Sequence, residues 1–229
     1  MRDRARGIII AIDGPSGAGK TTVSRRLALR LGLRYVDTGA MYRALALAAS
    51  DEGVDIASAE ALSSFCAAAR MEYAGGDSPI FVNGREYTGR IRTEEAGKAA
   101  SIASQIRPVR DFLVAFQREM GRIGSLVMEG RDIGTVVFPD ADFKFFLDAP
   151  ENTRAKRRHL ELSGKASVSM ESVNKAVSER DRRDKERANS PLKKADDAVY
   201  IDTNGLDAEG VIRKILDIVR EKGGEWRYS

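Results

Sequence analysis

From Ile8 to Ile12 every position is apolar and nearly all are β-branched, and the run stops at Asp13. A strand buried on both faces has that texture. From Thr21 to Leu31 the apolar residues Val23, Leu27 and Leu31 recur at helical spacing and Gly32 follows, which predicts an amphipathic helix with a glycine cap. Leu33 to Val36 reads as a second short strand, and the alanine- and leucine-rich segment Ala40 to Ala49 as a second helix. Strand, loop, helix, strand, helix opens an α/β domain built on a parallel sheet.

The rhythm then breaks. Asp55 to Ala69 predicts a short helix, and Met71 to Ala74 and Ile80 to Thr88 predict short antiparallel strands, with a turn around Gly75 to Pro79. Asn83-Gly84 is a hairpin-turn signal. Residues from about 53 to about 100 therefore read as a small inserted subdomain within a single chain of 229 residues. The βα pattern returns with a helix at Pro108 to Met120 and strands at Ser125 to Glu129 and Asp142 to Asp148. Two charged helices follow, Glu151 to Leu162 and Ser169 to Ala188, then a strand at Ala198 to Asp202 and an amphipathic helix at Asp207 to Lys222. The tail from Gly223 reads as loose.

Hydrophobic residues make up 42% of the chain and charged residues 31%, a balance that supports a sizeable soluble core. The net charge of +4 is a mild basic excess, compatible with nucleic acid or with a polyanionic small molecule. Cys66 is the only cysteine, which excludes an internal disulfide and suits a reducing compartment. No stretch approaches the ~18 apolar residues of a membrane span, and the basic start lacks the apolar region of a signal peptide. A cytoplasmic protein is expected.

Gly14-Pro15-Ser16-Gly17-Ala18-Gly19-Lys20-Thr21 fits G-x-x-x-x-G-K-[ST] at every fixed position, after a strand and before a helix,. Glycines let the backbone turn several N–H groups onto one anion. The helix that starts beside Lys20 adds its unpaired N–H groups and the positive end of its dipole. The candidate ATP-binding residues are thus Gly14, Pro15, Ser16, Gly17, Ala18, Gly19, Lys20, Thr21 and Thr22. Lys20 reaches the β- and γ-phosphates, and the Thr21 hydroxyl can face a magnesium ion directly or through water.

The motif alone does not separate a switch, a motor, a pump or a kinase. No N-K-x-D segment occurs to read a guanine, and the strand "SLVMEG" ends in one acid, Glu129, rather than in D-E. Arginine instead recurs in "DTGAMYR" (37–43), "EGRDIGT" (129–135) and "SERDRRDKERANSP" (178–191). Arg180, Arg183 and Arg187 stand at i, i+3 and i+7, on one helical face. Alone, that run reads as a solvated helix laced with ion pairs. Beside a phosphate loop it reads as positive charge for a transferring phosphoryl group.

Together, "IDGPSGAGKTT", "DTGAMYRALALAA", "IRTEEAGKAAS", "EGRDIGTVVFPDADFKFFLDA" and "ERDRRDKERANSPLKKADDAVYIDT" resemble bacterial cytidylate kinase in order and spacing, over nearly the whole chain. The resemblance implies a P-loop three-layer α/β fold with a central parallel sheet. It also implies a small α+β nucleotide-binding insert at about 53–100, which takes the acceptor, and a helical lid at about 165–190. The implied reaction, in pyrimidine nucleotide metabolism, transfers a phosphoryl group from ATP with Mg²⁺ to CMP or dCMP, giving ADP and CDP or dCDP. A monomer without nucleic-acid or membrane partners is implied as well.

The resemblance also implies roles for single residues. Lys20, Arg131 and Arg180 are catalytic, and Arg131 and Arg180 grip phosphate. Thr38, Tyr42 and Arg43 bind the acceptor, with Arg43 on its phosphate. Ser101, Arg110 and Asp132 read the cytosine or the sugar, or hold the residues that do. Arg183 and Arg187 belong to the lid, with Asp184 near the ribose or as a lid partner. Two positions depart from the family's common pattern: Glu129 stands where aspartate is common, and Thr21 where many nucleoside-monophosphate kinases carry glycine. Spacing alone does not name the base, so a kinase for UMP, AMP or dTMP is the nearest alternative. A non-enzymatic P-loop nucleotide-binding protein is a further one, against which stands the lack of aromatic-interleaved basic patches.

Overall fold

The computed structural model describes residues 7–163 and 169–223. The start of the expected lid (165–168), the basic N-terminal residues 1–6 and the tail beyond Gly223 lie outside the described residues. The chain divides into two compact units, one comprising Gly7 and Arg34–Leu126, the other Ile8–Leu33 and the residues from Val127 onward.

The second unit carries the parallel sheet. Its strands are β1 (Ile9–Asp13), β6 (Leu126–Gly130), β7 (Phe143–Asp148) and β8 (Val199–Asp202), in the order β6-β1-β7-β8. β1 pairs in parallel with β7, and β7 with β8. All five residues of β1 and all five of β6 are buried, which accounts for their unbroken apolar runs. α1 (Lys20–Leu31) packs on α8 (Ala208–Gly223), and Val23 and Leu27 of the first and Val211, Ile212 and Ile215 of the second are buried. α6 (Glu151–Ser163) packs on α7 (Met170–Glu186) around Ala155, Val173 and Val177. Between β6 and β7 the chain makes a π-helical turn, Ile133–Val137, where the sequence offered no periodic signal.

The first unit contains β2 (Arg34–Asp37), α2 (Thr38–Asp51), α3 (Ala59–Ala68), α4 (Glu94–Ala103), α5 (Arg107–Arg122) and a three-stranded antiparallel sheet. The sheet is β3 (Met71–Tyr73), β4 (Ile80–Val82) and β5 (Arg85–Glu86). The Asn83-Gly84 turn sets its register, with Val82 opposite Arg85. Polar caps mark where the helices begin. The side chains of Asp37, Ser58 and Thr93 accept the N–H of Ala40, Ala61 and Ala96 at 3.1, 3.2 and 3.2 Å, each supplying a partner that the first helical turn lacks. Ser58 explains why α3 starts later than the expected Asp55. α2 packs on α4, and α3 on α5.

Candidate active site

The glycine loop joins β1 to α1. Gly14 has φ +149, and a Cβ there would sit 2.0 Å from the Leu147 carbonyl oxygen of β7. Gly17 has φ +76, and its Cβ would meet the Arg154 carbonyl oxygen at 2.6 Å. Close approach of two other backbone segments therefore demands glycine at both places. The Thr203 hydroxyl lies 3.3 Å from the Ala18 carbonyl oxygen and accepts from Arg157 Nη1 at 2.9 Å. Arg154 donates from Nη1 to the Ser16 carbonyl at 3.0 Å and from Nε to the Ala149 carbonyl at 2.8 Å, and also pairs with Asp181. Thr21 and Thr22, on the first turn of α1, are exposed.

Lys20 is buried, and its Nζ donates to the Pro15 carbonyl at 2.7 Å. Burial pushes its ammonium down to about 7, Arg131 and Arg180 push the same way, and Glu129 and Asp184 oppose them. Two arginines and two acids thus act electrostatically on the lysine that ends the loop. Arg131 Nε donates to Asp184 at 2.8 Å, with only 17% and 9% of the two side chains exposed. Burial alone would raise the Asp184 carboxyl, but Arg131, Arg180 and Arg187 hold it below its ordinary value. Arg187 Nη2 lies 3.5 Å from Asp132, both nearly fully buried.

The face that α7 turns inward carries Val173, Val177, Asp181 and Asp184, continued by Arg187 at its C-cap. Arg180, beside Asp181, is half-buried. Arg183, expected to share the arginine face, instead donates from Nε to the Glu179 carbonyl of its own helix at 3.3 Å. Arg182 is exposed and lies 4.0 Å from Glu186.

The other expected acceptor residues lie in the first unit. Thr38, Tyr42 and Arg43 are on α2, Ser101 on α4 and Arg110 on α5. Arg43 Nη2 donates to Asp37 at 2.9 Å, so the residue that caps α2 also aims this guanidinium. The Arg110 guanidinium sits 5.8 Å from the centroid of the Tyr42 ring, a cation–π distance. The Ser101 hydroxyl and Arg43 Nε are buried polar atoms without a hydrogen-bond partner among the described residues, and such atoms call for a ligand or water.

Sequence reasoning missed Asp13, Asp37, Arg154 and Asp181. Asp13 ends β1 and accepts the N–H groups of Ile133 and Gly134, each at 2.8 Å. It thereby holds the π-helical turn that follows Arg131 and Asp132. Burial pushes its carboxyl up to about 6, against the lowering by those two N–H groups. An acid directly ahead of the glycine loop, inside an otherwise apolar strand, was the available signal.

A family model described as cytidylate kinase matches residues 10–221. The chain belongs to the cytidylate kinase family. It is 47% identical over 220 residues to a cytidylate kinase of Geobacter sulfurreducens, covering 95% of this chain and 94% of that one. It is 46% identical over 222 residues to a cytidylate kinase of Solibacter usitatus, covering 96% and 95%. A crystal structure of an uncharacterized protein from Eubacterium ventriosum superimposes with a TM-score of 0.54 at 14% identity, covering 94% of this chain and 99% of that one, and shares the fold alone.

Proposed function

We infer that this cytidylate kinase family member transfers the γ-phosphoryl group of ATP to CMP or dCMP, giving ADP and CDP or dCDP. The family match over residues 10–221 carries the choice of the cytidine nucleotide. The buried Lys20 at the glycine loop, with Arg131 and Arg180 acting on it, supports the chemistry.

Residues Gly14 to Thr22 take the ATP phosphates through backbone N–H groups, and Lys20 neutralises charge at the β–γ bridge. Arg131 and Arg180 hold the phosphoryl group, and Asp184 fixes Arg131 in place. Arg43, aimed by Asp37, takes the acceptor phosphate with Thr38 and Tyr42. Ser101, Arg110 and Asp132 serve the cytosine and sugar, and Arg187 supports Asp132. α7 is the arginine-bearing lid helix, while Arg183 contributes less than its spacing implied. The acceptor oxygen is anionic at neutral pH, so alignment and electrostatic stabilisation suffice without a strong general base.

Magnesium fits this donor set. Among the described residues no group of three or more acids, histidines or cysteines could cage a metal. An ion held mainly by phosphate oxygens and water, with the exposed Thr21 hydroxyl facing it directly or through water, would suit Mg²⁺. When bound it would offset charge on the β- and γ-phosphates. The buried, free Cys66 suits a reducing compartment, and the proposal extends to a monomeric, cytoplasmic enzyme. Chromatography of a reaction with ATP and CMP tests the reading: equal amounts of ADP and CDP are expected, and ATP loss without CDP would refute it.

A further inference from the structure

We propose that Arg154 and Asp181 are positioning residues: they lock the glycine loop to helix α7 at the peptide groups of Ser16, and they act on ATP rather than on the acceptor. This rests on the reading of the loop as the ATP site.

Ser16 lies in the middle of the loop, where no helix or strand satisfies its backbone. Its N–H donates to Asp181 Oδ1 at 3.4 Å, and its carbonyl accepts from Arg154 Nη1 at 3.0 Å. The same Nη1 pairs with Asp181 Oδ2. Ser16, Asp181 and Arg154 thus close a ring of three contacts. Arg154 is anchored from behind by the Ala149 carbonyl at 2.8 Å, with Asp148 at 3.8 Å from Nε. Only 6% and 5% of the Arg154 and Asp181 side chains are exposed.

Stability alone does not account for this pair. Burying two charges costs desolvation, and well-packed apolar residues often replace such a pair without loss. The neighbouring contact between α6 and α7 is already apolar, through Ala155, Val173 and Val177. Apolar side chains at 154 and 181 would extend it, but would leave both peptide groups of Ser16 without these partners.

The test compares Asp181→Asn, Arg154→Lys and Arg154→Met with the wild type. Initial rates are measured with ATP and CMP varied separately, ATP affinity by calorimetry, and folding by thermal melts. Misplacing a phosphate-binding loop should raise KM for ATP and lower kcat by about tenfold or more, while KM for CMP stays within about twofold. ATP affinity should fall in parallel, and Arg154→Lys, which keeps one charged donor, should lie between wild type and Arg154→Met. Unchanged ATP constants in folded variants would overturn the proposal. So would equal rises in KM for ATP and CMP that merely track a lower Tm. If Asp181→Asn does not fold, the two Arg154 variants carry the same comparison. A wild type that binds ATP but fails to phosphorylate CMP would refute the acceptor reading and leave the pair readable in ATP affinity.

Discussion

Arg131 donates from Nε to the Asp184 carboxylate at 2.8 Å, in surroundings that leave little of either side chain exposed. The pair joins the segment after β6 to α7, and Arg131 Nη1 also donates to the Gly130 carbonyl at 3.2 Å. Asp184→Ala leaves a buried arginine without this partner. Breaking such a pair should cost about 3 kcal/mol of stability, read by urea unfolding. It should also lower kcat/KM for CMP by at least ~10². A variant with wild-type kinetics would show that Asp184 does not position Arg131.

Lys20→Ala should fold and lose at least ~10² in kcat, the scale of one preorganised electrostatic donor. The depressed value of about 7 adds a second readout. At pH 8 the free lysine is largely neutral, and a bound triphosphate favours its charged form. ATP binding at pH 8 should then take up close to one proton at this site. Calorimetry in two buffers of different ionisation enthalpy measures it. The uptake should shrink at pH 6, where the lysine is already charged, and vanish in Lys20→Ala.

The arginines of α7 should not be equivalent. Arg180→Ala should reduce kcat by ~10³, more than it weakens either nucleotide alone, as expected for charge on a transferring phosphoryl group. Arg182→Ala should change little, because Arg182 is exposed and only loosely paired with Glu186. Arg183 bonds its own helix, so Arg183→Ala should resemble Arg182→Ala. Three variants that all shift only salt sensitivity would reduce the run to a solvated basic helix.

Asp13 predicts a pH-dependent stability. Its carboxyl is raised from its ordinary 3.8 to about 6, so the folded state binds this proton more tightly than the unfolded state. Its contribution therefore favours folding at low pH and is lost as pH rises through that window. Relative to Asp13→Asn, the wild type should lose about 2 kcal/mol between pH 4 and pH 7. Denaturant melts at both values measure the difference, and a pH-independent difference would place Asp13 in a more polar setting.

The glycine loop and its flanking strand and helix were legible because periodicity, turn chemistry and motif agree there. α4 was not, since the alanines of Glu94–Ala103 give weak contrast and Gly97 interrupts them. Thr93, its cap, was the one local clue. The π-helical turn at Ile133–Val137 could not be read locally, because its N–H groups depend on Asp13, distant in sequence. Asp181 was hidden for another reason: in a run of alternating charges it looks like any surface acid, and only its partners Arg154 and Ser16 mark it as buried. Arg183 shows the limit of spacing, since position on a helical face does not say whether a long side chain turns back on its own backbone.

The most direct measurement is ADP release from ATP in a coupled assay against CMP, dCMP, UMP, AMP and dTMP. A site that hydrogen-bonds the polar edge of cytosine rejects a base that leaves its buried groups unpaired, by up to ~10⁴. CMP or dCMP should therefore exceed the other three by a wide margin in kcat/KM. A best rate with UMP, AMP or dTMP would contradict the assignment of the acceptor.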